Sequence, residues 1–338
     1  MALKIDFVVT WLDSSDPEWQ KQFAVFKEKE TGRTEKARFR NLDVFRYWFR
    51  AIELYAPWVN KVYLVTNGTV PTWINPNHPK LVLVKHSDYI PNELLPTFNS
   101  RTIELFLHKI QGLSEHFVYF NDDCILNSPT LPELFFKNGL PCDNNVETIF
   151  NVPQYNKNDK FGTYMSLMAD IGVINAHFRR WNTVKQSLRR WYGFHLGLNG
   201  IMTSLFIKRN YKFVGFKWRH YEQPFLRSTF EQVWKEEPEL LLQSCTKFRT
   251  DVSVNPYIFR YWQFATNKFH PSKSYKVKVF TLRQSLLKSV GDSLNDKSII
   301  SVCLNDTAKC PEEEYQLINR ELQELLEKKF NTKSAYEI

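Results

Sequence analysis

Four short runs of β-branched and aromatic residues, at 5–10, 61–66, 80–85 and 116–120, alternate with segments of helical periodicity, and nothing else in the chain narrows its fold so far. After the first run, Leu42, Phe45, Phe49 and Ile52 fall on one helical face that Pro57 ends. Before the fourth, Ile103, Leu105, Phe106, Ile110 and Leu113 form another, interrupted by Gly112 and Ser114. The order β, α, β, β, α, β predicts an α/β fold with a mostly parallel sheet covered by helices on both faces. Sheets of that kind bind ligands at the carboxyl ends of their strands.

Those ends are polar here. The first run closes on Thr10, Trp11 and Asp13, a loop expected to meet a nucleotide, with Trp11 stacking on a base and Asp13 reaching ribose hydroxyls or a metal. A place in the core suits Trp11 equally well. The fourth runs into Asn121, Asp122 and Asp123, and two adjacent carboxylates repel unless a cation, a basic side chain or a proton intervenes. Taken alone, such a pair reads first as a solvated turn. Arg38 and Arg40, in a loop before a helix, can fork onto phosphate oxygens or sit in a solvated basic turn.

Further along, 127–145 is rich in Pro, Asn and Asp and predicts a loop or lid, with a strand at 146–150. In 177–191 five arginines and lysines interleave with Phe178, Trp181, Leu188 and Trp191, which predicts a helix with a solvated charged face or one lying on an anionic membrane. His220 stands in a loop before Pro224, free to take a hydroxyl proton near neutral pH or to serve as a structural histidine. Arg227 and Arg249 are candidates for neutralising phosphate, with surface ion pairs as the plainer role. Near the end, 298–304 predicts a strand running into Asn305 and Asp306, a second strand that closes on Asn-Asp, followed by a charged helix at 311–330.

Composition narrows the partners. An excess of 45 Lys and Arg over 36 Asp and Glu points to anionic ones without choosing among phosphorylated substrates, nucleic acid and membrane. Five cysteines without CxxC spacing suit reduced thiols in a cytosolic protein. The start does not read as a signal peptide, and no apolar run approaches a membrane span. No nucleic-acid motif is visible, and no repeat or linker divides the chain, so one catalytic domain with a helical insertion at about 177–217 is expected.

Four blocks in order resemble the conserved regions of the Stealth family of hexose-1-phosphate transferases. IDFVVTWLDSSDP resembles the first, and RFRNLDVFRYWFRAIELYAPWVNKVYLVTNG with LPTFNSRTIELFLHKIQGLSEHFVYFNDD the second. HYEQPFLRS through KFRTDVS resembles the third, and CLNDTAKCPEEEYQLINRELQELLEKKFNTKSAYE the fourth. The resemblance implies a GT-A/Rossmann-like nucleotide-sugar-binding sheet. It also implies transfer of a hexose-1-phosphate from a nucleotide sugar, typically a UDP-sugar, to a glycan hydroxyl, with release of nucleoside monophosphate. Glu104, Asp123, His220 and Arg249 match the family's essential positions, and Asp13, Asn305 and Asp306 match further motif positions. The loop Asn67-Gly68-Thr69-Val70 departs from the commoner TxGQ pattern.

Attack on phosphorus suits this set. His220 or Asp123 serves as general base while the other orients it or holds a cation, and Mg2+ or Mn2+ on Asp122, Asp123 and Asp306 bridges the diphosphate. Arg249 and Arg227 neutralise the transferring group, with Thr10, Trp11, Asp13, Arg38, Arg40, Asn121 and Asn305 as donor contacts. The expected acceptor is an oligosaccharide or lipid-linked glycan of a bacterial capsule or surface polymer, met in the cytoplasm at the inner membrane face. The rivals are a glycosyltransferase releasing nucleoside diphosphate and a non-enzymatic anion- or membrane-binding module.

Overall fold

The computed structural model describes residues 3–30, 32, 34, 39–40, 42–150, 164–250, 253–307 and 310–338. In chain order the strands are Ile5–Thr10 (β1), Val62–Thr66 (β2), Leu81–Lys85 (β3), His116–Asn121 (β4), Cys124–Leu126 (β5), Phe136–Lys137 (β6) and Leu140–Asp143 (β7). Gln223–Leu226 (β8), His270–Pro271 (β9), Val277–Thr281 (β10) and Ser301–Asn305 (β11) follow. The main sheet has the order β3-β2-β1-β4-β8; its first four strands are parallel and β8 runs antiparallel beside β4.

Strand β1 lies at the centre because it is apolar on both faces, and its alternating side chains divide the interior in two. Phe7 and Val9 enter one core with Phe45, Trp48, Phe49 and Ile52 of the helix Phe45–Tyr55, while Val8 enters the other with Tyr63, Phe117 and Tyr119. The helix Glu312–Lys329 closes the first core through Ile318, Leu322 and Leu326. One polar side chain, Asp6, is buried in β1. Its carboxylate is satisfied by Asn60 Nδ2 at 2.6 Å and the Ser114 amide at 2.7 Å.

Beyond Asp123 the chain leaves the main sheet and enters a second one, ordered β10-β11-β5. Strand β11 is antiparallel to β5, with Cys303 opposite Cys124, and the Leu304 amide donates to the Asp123 carbonyl at 2.9 Å. That pairing carries Asn305 to the Asp123 turn from almost the other end of the chain.

Three expectations change. The segment 146–150 is not a strand; it holds only an isolated bridge between Glu147 and Phe216. The segment 127–145 is no lid: it contains β6 and β7, and Asp143 is buried between Arg219 and Arg260 at 2.6 and 2.7 Å. The basic run 177–191 breaks into Arg180–Val184 and Leu188–Trp191 after the helix Tyr164–His177 ends. The break has a cause in packing. Arg180 turns fully inward to clasp Glu147 with bonds of 2.7 and 2.6 Å, and Trp191 is buried, so this stretch cannot keep one continuous charged face.

Candidate active site

The carboxyl edge of the main sheet is where β1, β2 and β4 end, and the strand register decides who joins them. Tyr119 pairs with Gln223, so the residues preceding β8 run on past the end of β4 and bring His220 beside the Asp122-Asp123 turn. His220 Nε2 lies 3.8 Å from Asp123 Oδ2 and 2.7 Å from Asn305 Oδ1. An Nε2–H donated to that amide oxygen leaves Nδ1 as the proton-accepting nitrogen of the neutral ring. Burial opposes protonation of His220, but hydrogen bonding and attraction from Asp123, with help from Asn305, outweigh it and raise the pKa.

Asp122 is in the opposite position. Burial first, and then the charge of Asp123, push its carboxyl up to about 7. Two carboxylates held side by side with too little solvation favour any arriving cation.

A second group forms around the Tyr119 hydroxyl, which donates to Asn121 Oδ1 and lies 3.1 Å from both that atom and Thr10 Oγ1. Burial, and then the charge of Glu104, oppose ionisation of the same hydroxyl. Asn99 caps the short helix Ser100–Leu105, which sets Ser100 and Glu104 one turn apart on one face. Arg249 Nη2 donates to Ser100 Oγ at 2.5 Å. Burial raises the Glu104 carboxyl, opposed by the Arg249 charge, the Ser100 hydroxyl, Arg101 and Tyr119. Its charge also favours the protonated form of His220, which ties the two groups together electrostatically.

Beside these groups a cleft of about 550 Å³ opens at the ends of β1, β2 and β3. Asp16, Trp19, Asn67, Thr69, His86 and Phe98 are among its walls. The Asp16 carboxylate caps the helix Pro17–Lys29 and also accepts from the Thr69 hydroxyl, which joins the two loops of the cleft.

The expected site residues thus fall into two sets. Thr10, Glu104, Asn121, Asp122, Asp123, His220, Arg249 and Asn305 gather at the sheet edge. Trp11 does not: it is buried in the core and stacked on Phe45 at 6.0 Å and 8°, so it has no face for a base. Asp13 spends one carboxylate oxygen on its own turn, accepting from the Ser15 amide and hydroxyl at 2.9 and 2.6 Å. Arg227 sits at the wrong edge. Because β8 is antiparallel, Leu226 lies opposite His116, and Arg227 is roughly 15–20 Å down β4 from Asn121, beside Glu115 and Glu231.

Arg40 and Asp306 neutralise each other through two bonds of 2.7 and 2.9 Å, with Arg40 stacked over Tyr315. Accordingly Asp306 does not join Asp122 and Asp123, and among the described residues no three His, Cys, Asp or Glu side chains gather as a metal site. Arg38 lies outside the described residues.

Sequence reasoning missed Tyr119, which an aromatic strand pattern reports only as core, and Asp16. The Asp16-Pro17 pair carried a helix-start signal but no functional one.

A mostly parallel sheet whose carboxyl edge gathers acid, imidazole and guanidinium has the layout of a group-transfer enzyme. The chain belongs to the Stealth family of phosphotransferases. The profile of Stealth protein CR2, conserved region 2, matches residues 38–143. A capsular polysaccharide phosphotransferase WcwK of Streptococcus pneumoniae is 36% identical over 349 residues, 100% of each chain. A receptor polysaccharide phosphotransferase WefC of Streptococcus oralis is 36% identical, with 92% of this chain and 93% of that one aligned. An exopolysaccharide phosphotransferase cps2G of Lactiplantibacillus plantarum is 32% identical, covering 98% and 96%. Among solved structures, a galactosyltransferase LgtC bound to donor and acceptor sugar analogs overlaps at TM-score 0.42 with 9% identity, covering 96% of this chain and 95% of its own.

Proposed function

We propose that the chain transfers a hexose-1-phosphate from a nucleotide sugar, a UDP-sugar, to a hydroxyl of a growing or lipid-linked bacterial surface glycan. The observation that carries this reading is the His220 ring held 3.8 Å from Asp123 and 2.7 Å from Asn305 at the sheet edge. His220 takes the proton of the acceptor hydroxyl through Nδ1, and Asp123 steadies the imidazolium that forms. The hydroxyl oxygen attacks the phosphorus bonded to the sugar, the bond to the bridging oxygen breaks, and nucleoside monophosphate leaves with that oxygen. A phosphodiester remains in the glycan.

Arg249 offsets charge on the transferring group, and the carboxyl of Glu104 orients Arg249. The nucleoside lies in the cleft walled by Asp16, Asn67 and Thr69, whose side chains replace Trp11 and Arg227 as donor contacts. A divalent cation, Mg2+ or Mn2+, would be held by the carboxylates of Asp122 and Asp123, hard oxygen donors of which such ions commonly take one or two. When bound it supplies charge neutralisation at the diphosphate. The whole chain acts as one catalytic unit, with 177–217 as an insertion in it, in the cytoplasm.

Incubation with a panel of nucleotide sugars and a glycan acceptor tests the reading. Release of nucleoside monophosphate with a new phosphodiester signal in phosphorus NMR supports it. Release of nucleoside diphosphate makes the enzyme a glycosyltransferase and refutes it.

A further inference from the structure

The chain's positive charge is concentrated in one place. Residues 171–221 hold ten Lys and Arg and no Asp or Glu, leaving 35 against 36 in the rest. Two of the ten are spent inside the protein, Arg180 on Glu147 and Arg219 on Asp143. Within this region 191–207 carries no Lys, Arg, Asp or Glu at all, and Arg189 and Arg190 precede it while Lys208, Arg209 and Lys212 follow.

At its middle the helix Gly197–Phe206 is inverted. Its buried side is made of small residues, Gly200 and Ser204, and Gly200 sits so close to the protein that a Cβ there would meet Val146 Cγ2 at 3.2 Å. Its large apolar side chains face out: Leu198 is 83% exposed, Met202 66% and Phe206 82%, and Phe194 just ahead is 90% exposed. A helix of a water-soluble surface does the reverse. An exposed apolar face flanked in sequence by cations has the pattern of a segment lying in a membrane interface.

We propose that this face docks on an anionic lipid bilayer, with Phe194, Leu198, Met202 and Phe206 entering the boundary between headgroups and acyl chains. The exposed Arg189, Lys208, Arg209 and Lys212 then meet anionic headgroups. Charge selects the bilayer over a second copy of the chain, because an isologous dimer through this face would set the same cations against one another. Since no helix among the described residues is long and apolar enough to cross a membrane, the contact lies in the plane of the interface. Later in the same basic region Trp218, 46% exposed, stacks on His220 with ring centroids 5.6 Å apart, which joins that region to the sheet edge. Docking itself is independent of which group the enzyme transfers.

Flotation of the full chain on vesicles tests it, using phosphatidylcholine alone and phosphatidylcholine with about a third phosphatidylglycerol. Wild type should partition to the anionic vesicles roughly tenfold or more above the neutral ones. Combined Phe194→Ser, Leu198→Ser and Phe206→Ser, and separately Lys208→Glu with Arg209→Glu, should each weaken that partition roughly tenfold or more. Leu131→Ser, at a residue 69% exposed elsewhere on the protein, should not weaken it. Circular dichroism and melting confirm that the variants are folded. Undiminished flotation of the triple variant overturns the proposal. So does a wild type that ignores vesicles but forms, by light scattering, a dimer that the triple variant loses.

Discussion

Replacing Asp123 with Asn probes the pairing that organises the active site. Its Oδ2 lies 3.8 Å from His220 Nε2, and the two side chains are 23% and 28% exposed. Opposite unit charges at that distance attract by about 1 kcal/mol in water and about 4 kcal/mol at an effective permittivity near 20. Partial exposure places this pair between those limits, so about 2–3 kcal/mol holds the proton on His220. Burial pulls the ring the other way, and once the carboxylate is gone only the Asn305 hydrogen bond and the charge of Glu104 oppose it. The His220 pKa should therefore fall, and the neutral base should be present at lower pH than in the wild type.

Two measurements follow from that sign. In metal-free protein, the His220 ring resonance, assigned with His220→Ala, should titrate with a lower midpoint in Asp123→Asn. The acid limb of the rate of nucleoside monophosphate release should move to lower pH, while the limiting rate drops on the order of 100-fold because the imidazolium formed in the transfer loses its partner. A folded Asp123→Asn protein whose His220 midpoint is unmoved or higher would refute the electrostatic account of the site.

Other expectations are as specific. Asp122 titrates at about 7 in the folded protein and near the ordinary aspartate value when unfolded, so the folded state holds an extra proton between, and stability falls as pH rises through that window. Urea unfolding of metal-free Asp122→Asn should therefore show a gain over wild type on the order of 2–4 kcal/mol above pH 7 that vanishes near pH 4, alongside lost activity. Arg227→Gln should leave kcat/KM within about twofold, since the side chain is at the far edge of the sheet; a loss of tenfold or more contradicts that placement. Arg40→Gln strands Asp306 in a site where both side chains are about 10% exposed and should cost roughly 3 kcal/mol in chemical denaturation. Asp306→Asn in the same chain should restore most of it. A rise in donor KM without loss of stability would instead return Arg40 to the donor site.

Much of this protein was written locally. A run such as IDFVVT can be satisfied only by burial on both faces, so β1 and its neighbours, the parallel order and the polar residues at the strand ends were all legible from side-chain periodicity. Asp122, Asp123 and Asn305 could be singled out for the same reason, as polar groups that end apolar strands. What periodicity cannot carry is the choice of partner across the chain. The antiparallel register of β8 sends His220 to the site and Arg227 away from it, although only seven positions separate them. Arg40 is matched to Asp306 266 residues on, Trp11 slides under Phe45, and Arg180 leaves a basic face to meet Glu147. A charge or an aromatic ring takes whichever neighbour packing brings within a few ångströms, and that neighbour is set by the assembled fold rather than by the residues beside it in sequence.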